Sequence, residues 1–124
     1  MDVTPVIPRG KQVITGYGEG KFKINGEVYA HSVLVFPDRT VLWDIKPGAN
    51  ITLESLNVVV EEEGEIDIVL IGCGSKQQIL PQGIRTALKE AGINMEVMDT
   101  GGAVRTYNVL LAEGRRVAAA LIAV

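Results

Sequence analysis

The stretch DIVLIGCGSKQQILPQGI, residues 67–84, decides how the chain is read. Branched apolar residues run up to Gly72-Cys73-Gly74, and a helical pattern resumes only around Pro81. The segment IDIVLI, residues 66–71, lacks strict alternation and predicts a strand buried on both faces. Beyond it, Ile84, Ala87, Leu88 and Ala91 follow the i, i+3, i+4, i+7 spacing of a helix, and Gly92 supplies its stop. INMEVM (93–98) reads as a short strand. Ala103, Tyr107, Leu110 and Leu111 mark a further helix ending near Gly114, and RVAAALIAV (116–124) reads as a strand whose alanines let layers approach closely.

Upstream, the chain reads as hairpins. In KQVITGYGEGKFKINGEVY (11–29), the Asn25-Gly26 pair suits a tight turn because both residues tolerate positive φ. In SVLVFPDRTVLWDI (32–45), two apolar runs flank Pro37-Asp38, a turn signal. Between the halves, Thr52 is placed to cap a helix carrying Leu53, Leu56 and Val60 on one face, with Gly64 past its end. The run Val58-Val59-Val60 favours strand locally, and Glu61 to Glu63 are expected to be solvated because the negative end of the helix dipole repels them. Helices alternating with strands predict an α/β domain with a mixed, mainly parallel sheet, helices on its faces and N-terminal β-hairpins. The whole chain, 1–124, is expected to form one domain, with 1–10 a flexible N-terminal segment.

Composition narrows the function classes. A chain of 124 residues, 47% hydrophobic and 22% charged, fits an ordinary globular domain. A net charge of -3 argues against a nonspecific nucleic-acid binder, which would carry a basic face. The single cysteine cannot form an internal disulfide and suits a reducing, cytoplasmic compartment. No secretory signal is read at MDVTPVIPRG, and the final apolar run is far below the roughly 20 residues of a membrane helix. The expected protein is soluble and does not span a membrane.

The glycine pair invites comparison with nucleotide-binding loops. A dinucleotide fingerprint needs Gly-x-Gly-x-x-Gly on a strand-to-helix turn, but the third slot holds Gln77 and the helix starts too late. Asp99 sits where a ribose ligand would, yet equally suits a loop or cap. GSK (74–76) lacks the spacing of a phosphate loop. NAD, NADP and ATP are therefore not expected to bind, and no cofactor or metal is expected. Cys73 invites a nucleophile reading, but His31 is the only histidine and nothing in the sequence places it nearby. The alternative is a structural residue between glycines. A candidate ligand site joins Gly72, Cys73 and Gly74 to Thr100, Gly101, Gly102 and Arg105, since both turns follow parallel strands and belong on one sheet edge. Free amides, the helix dipole and Arg105 would favour a small anion or a partner's carboxylate there. The plain alternative makes Thr100 an N-cap and Arg105 a surface charge. Trp43-Asp44 would line the same edge or, for the tryptophan, lie in the core.

Three segments carry a family resemblance: GYGEGKFKINGEVYAHSVLVFPDRTVLW, IDIVLIGCGSKQQILP and VMDTGGAVRTYNVLLAEGRRVAAALI. They resemble the domain family that includes the mitochondrial complex I assembly factor 3 and its bacterial and archaeal relatives. The Tyr107-Asn108 pair and the Glu-Gly-Arg-Arg-Val exit (113–117) are the more specific parts. The resemblance implies a compact three-layer α/β fold. It brings no established activity or cofactor. The family's usual Gly-Thr-Gly makes Cys73 a departure, as is His31 at a position commonly small, so a Cys73–His31 mechanism gains no support. What the resemblance implies instead is a protein-binding accessory role in respiratory complex I or membrane-protein assembly. The rival expectation is an enzyme or binding protein for a small anionic ligand, using a pocket at the C-terminal ends of the sheet strands.

Overall fold

The computed structural model describes residues 10–75 and 78–124. The expected flexible N-terminal segment up to residue 9, and Gln77 of the third-glycine slot, lie outside the described residues. Strands β1 (Ile14–Gly18), β2 (Lys21–Ile24) and β3 (Glu27–Tyr29) form an antiparallel meander. Its second turn is the Asn-Gly pair, with φ of 49° at Asn25 and 83° at Gly26, as a two-residue turn of this hand requires. Strands β4 (Val33–Val35) and β5 (Thr40–Leu42) make a second hairpin around Pro37-Asp38.

The rest is an α/β unit. Strand β6 (Ile68–Gly72) leads through helix α2 (Gln82–Glu90) to β7 (Asn94–Met98), and helix α3 (Thr100–Ala112) leads to β8 (Val117–Leu121). The five-stranded sheet has the order β5-β4-β8-β6-β7. Strand β6 pairs in parallel with both β7 and β8, while β4 pairs antiparallel with β8 and β5. The sheet is mixed, and its parallel part is the second half of the chain.

Burial on both faces of β6 follows from one helix layer on each side. Val69 and Ile71 join a core with Ile84 and Leu88 of α2 and Leu56 and Val59. Leu70 faces the other way, into a core with Ala103, Val104, Tyr107 and Leu111 of α3 and with Phe22 and Ile24 of the meander. The alanines of β8 serve this close packing: Ala118 and Ala120 lie in the first core, Ala119 in the second.

The helix expected after Thr52 is much shorter than its pattern suggested. A 3-10 turn, Glu54–Leu56, leads into a single turn of helix, α1 (Asn57–Val60). The Thr52 hydroxyl does accept a hydrogen bond from the Ser55 amide at 3.2 Å. The β-branched run Val58–Val60 limits helix growth, and Leu56 and Val59, rather than Leu53 and Val60, form the buried face. The solvated glutamates need one correction. Glu62 is half-buried and paired with Arg39, whose guanidinium also stacks 4.3 Å over the Phe36 ring.

The meander is fastened to α3 by the Tyr107-Asn108 pair. Tyr107 donates its hydroxyl proton to the Gln12 carbonyl at 2.8 Å. Asn108 holds Ile14 at both backbone groups: its Oδ1 accepts from the Ile14 amide at 3.1 Å and its Nδ2 donates to the Ile14 carbonyl at 2.7 Å. Ile14 is itself buried, so these groups have little water to turn to. Asn108→Ala is expected to lower the unfolding free energy by about 1–3 kcal/mol. The check is a urea titration, with a lower midpoint and an unchanged m-value; an unaltered midpoint would show that the pair contributes nothing net.

Candidate functional site

The two glycine turns named from the sequence do meet, at the edge where β6 and β8 end. The Gly72 carbonyl accepts from the Ile122 amide, the Cys73 amide donates to the Met98 carbonyl, and the Gly74 carbonyl accepts from the Thr100 amide, each at 2.9 Å. The Thr100 hydroxyl accepts from the Gly74 amide at 3.0 Å and donates to the Ile122 carbonyl at 2.7 Å. Ser32, entering β4, accepts from the Ala123 amide at 3.0 Å. Thr100 and Ser32 are both buried polar residues, and both serve this corner.

Each glycine here has its own cause. Gly74 has φ of 95°, which turns the chain out of the sheet at little steric cost. Gly72 is needed for approach: a Cβ there would sit 2.9 Å from the Thr100 Cα and 3.2 Å from the Ala103 Cβ. The start of α3 therefore occupies the space over Gly72. At Gly101 a Cβ would meet the Tyr17 hydroxyl at 2.6 Å.

The expected arrangement of free amides needs correction. The N-cap of α3 is Asp99, whose carboxylate accepts from the Gly102 amide at 2.7 Å. Thr100 is the first helical residue, and its hydroxyl is spent inside the corner. An anion drawn to this helix end would face the Asp99 carboxylate, which already takes the favourable position. Arg105 is exposed and turns toward the meander, with its Nη1 3.4 Å from the Tyr17 hydroxyl. Trp43 is core, packed on the α1/α2 side of the sheet, and its indole N–H has no protein acceptor among the described residues.

Cys73 lies 5% exposed in the α1/α2 core. Burial pushes its thiol above the ordinary range, and the Gln78 backbone only partly offsets this. His31 lies elsewhere in its bonding: its Nδ1 is 2.8 Å from the Ser32 carbonyl and its ring meets the edge of Tyr29. Among the described residues, no three His, Cys, Asp or Glu side chains converge on a point that could hold a metal ion.

Two open grooves flank the loop that follows β6. One, of about 740 Å³, lies outside the carboxyl ends of β6 and β8, between Gly74, Gln78, Ile122 and the Pro47-Gly48 turn. Among the described residues its lining side chains are small, apolar or neutral. The other, of about 720 Å³, lies between the start of α2 and the Asn50–Leu53 segment. Ile79, on the loop between them, is completely exposed, a feature the sequence pattern did not reveal.

Two outcomes follow from this geometry. Gly72→Ala is expected to cost about 1–3 kcal/mol through overpacking against α3. Gly83→Ala, in α2 with open space around its Cβ, should be neutral or stabilising. Equal midpoints for the two variants in urea would contradict the packing role of Gly72. For Cys73, the native alkylation rate with iodoacetamide should lag behind the denatured chain and keep rising beyond about pH 8.5, the ordinary thiol value. A plateau below that pH would reveal an activated thiol instead.

Comparison with known proteins adds to this picture. The chain is 36% identical to an uncharacterised protein of Rhodobacter capsulatus, over 91% of this chain and 86% of that one. It is 34% identical to NADH dehydrogenase [ubiquinone] 1 alpha subcomplex assembly factor 3 of Danio rerio, over 89% of this chain but only 63% of the relative. A crystal structure of a Bartonella henselae protein, described as an outer membrane protein, matches with a TM-score of 0.85 at 39% identity, covering 95% of this chain and 98% of the other. Among the described residues, no helix is long and apolar enough to cross a membrane. Residues 14–122, from the first strand of the meander to just past β8, match the model of the family described as a protein of unknown function, DUF498/DUF598, and the chain belongs to that family.

Proposed function

We propose that the protein is a cofactor-free accessory factor that binds a protein partner during the assembly of respiratory complex I or another membrane-protein complex. The observation that carries this reading is the similarity to assembly factor 3 across 89% of the chain. The surface supports it. Ile79 is completely exposed and Leu53 is 38% exposed beside it in one groove. Covering an aliphatic side chain of this size is worth about 1.5–3 kcal/mol, so a partner gains by closing over it.

The rival reading, an enzyme or a receptor for a small anion, would use the groove at the strand ends. Among the described residues, the neutral side chains lining that groove offer no charge to hold an anion and no acid–base pair. Arg105 keeps a smaller role in the proposal, as a rim contact for a partner's carboxylate. An exposed pair of this kind contributes about 0–1 kcal/mol and is screened by salt. The lone reduced thiol suits a cytoplasmic site of action.

The test is an affinity pull-down of the tagged chain at native abundance from its own cell, quantified by mass spectrometry. Subunits or assembly factors of the respiratory NADH dehydrogenase, or membrane-insertion components, should be enriched over an unrelated tagged protein. If neither class is enriched, the assembly reading fails.

A further inference from the structure

We infer that the open edge of β5 takes up an extended segment of a partner protein, and that a lysine or arginine of that segment enters the acidic pocket beside the edge. This rests on the partner-binding reading above and adds the surface and the chemistry of what fills it. Strand β5 is the outermost strand of the five-stranded sheet and pairs on its inner side with β4. The Trp43 amide donates to the Ser32 carbonyl at 3.0 Å, and the Phe36 amide to the Arg39 carbonyl at 2.7 Å. Hydrogen-bonded and non-hydrogen-bonded pairs alternate in an antiparallel ladder, so Leu34 and Val41 are also bonded, while Thr40 and Leu42 fall in the alternate pairs. The amides and carbonyls of Thr40 and Leu42 therefore point away from β4. Among the described residues these backbone groups have no other partner. Such groups are a template for a further strand.

The pocket at the end of the strand selects the side chain. It has a volume of about 380 Å³. Leu34 and Trp43, each 2% exposed, and Val58 of α1 give it apolar walls. Its charged lining residues are Asp44 and Glu54, both exposed and in no ion pair among the described residues. Lys46, two residues on from Asp44, is outside the lining. Apolar walls with carboxylates at the mouth match a lysine or arginine, whose methylene stem packs while the charged head stays at the surface. Val41 and Trp43 pack on the α1/α2 core, so the side chains of a paired segment that share their face lie over this pocket. Apolar neighbours of the basic residue would cover Leu42, which is 59% exposed and borders the pocket.

Other occupants fit less well. A helix keeps its amides and carbonyls to itself and leaves the edge unpaired. A polyamine meets the carboxylates but not the backbone groups of Thr40 and Leu42. Two copies of this chain, paired antiparallel with Thr40 opposite Leu42, would set Asp38 of each copy opposite Asp44 of the other, and like charges directly opposite repel.

The experiment places the photocrosslinker p-benzoylphenylalanine at Leu42 of the full chain in its native cell, with Val109 of α3 and Lys89 of α2 as control positions. The adduct at 42 should exceed both controls at least tenfold and map to one partner segment with a lysine or arginine between apolar residues. Asp44→Lys with Glu54→Lys should keep the native circular dichroism and cut the adduct at least tenfold, and changing the partner's basic residue to glutamate should restore it. Leu42→Pro removes an amide that β4 does not use, so it should fold and lower the partner's enrichment at least tenfold. If the proline disturbs the fold, synthetic peptides of the captured segment with one N-methyl group decide, since binding should fall at alternate positions. Loss at every position, or at none, would overturn strand pairing. Yields equal to the controls, adducts to phospholipid, to a second copy of this chain or to a segment without a basic residue, and charge reversal without effect would each overturn the proposal. A segment of the expected chemistry from a protein outside the respiratory and membrane-insertion machinery leaves the edge assignment standing and removes the assembly reading. Equal enrichment of that machinery by the unmodified and charge-reversed chains removes the edge assignment and leaves the assembly reading standing.

Discussion

One hydroxyl holds the corner on which the α3 side of the molecule depends. Thr100 is fully buried, and its Oγ1 joins the Gly74 amide to the Ile122 carbonyl while its own amide reaches the Gly74 carbonyl. Three separate segments, the ends of β6 and β8 and the start of α3, are therefore set by one side chain. A buried hydroxyl with both capacities used is stable where a half-satisfied one would not be. Gly72 makes this possible, because any side chain there would push Thr100 away. Two turns further along α3, roughly 10 Å away, the same helix position delivers Tyr107 and Asn108 to the strand that begins the meander. The small residue in β6, the cap of α3 and the docking of the N-terminal hairpins are one linked set of constraints.

The two faces of the sheet are covered differently. On the α3 side, the meander lies against the helix and the buried cluster includes residues from six elements. On the other side, α2 has nine residues and α1 a single turn, and the irregular segments that carry Trp43, Ile51 and Ile66 complete the cover. Exposed apolar side chains occur at Leu53 and Ile79, and also at Val28 of the meander and Val109 of α3.

Much of this was legible in the sequence. Asn25-Gly26, Pro37-Asp38 and the run from Ile66 to Ile71 read correctly because each reports a local rule: positive φ, preset φ, or burial on two faces. The α2 and α3 helices were legible from their periodicity. The helix after Thr52 was overread, because spacing alone cannot weigh the β-branched residues that halt it. At α3 the sequence offers both Asp99 and Thr100 as caps, since both are good capping types, and only the fold shows that the Thr100 hydroxyl is needed elsewhere. The meeting of Gly72–Gly74 with Thr100–Gly102 was inferred from parallel strand order. What fills the space between them was not, since a glycine used for approach and a glycine used for a ligand look alike in sequence. The full exposure of Ile79 has no periodic signal at all.

The corner also shows how the backbone groups at the strand ends are used. In open α/β sheets the carboxyl ends of parallel strands become ligand sites when loops diverge and leave amides free. Here the loops converge. Asp99 takes the Gly102 amide, Thr100 takes that of Gly74, and α3 stands over Gly72 where a bound phosphate would approach the backbone. The thiol in the same turn is buried and harder to ionise than an ordinary cysteine. Part of an edge that other α/β proteins leave open for chemistry locks three segments together here, and a groove of about 740 Å³ opens beside it. Among the described residues, the large apolar side chains left most exposed, Ile79, Val28 and Leu42, all lie outside this corner.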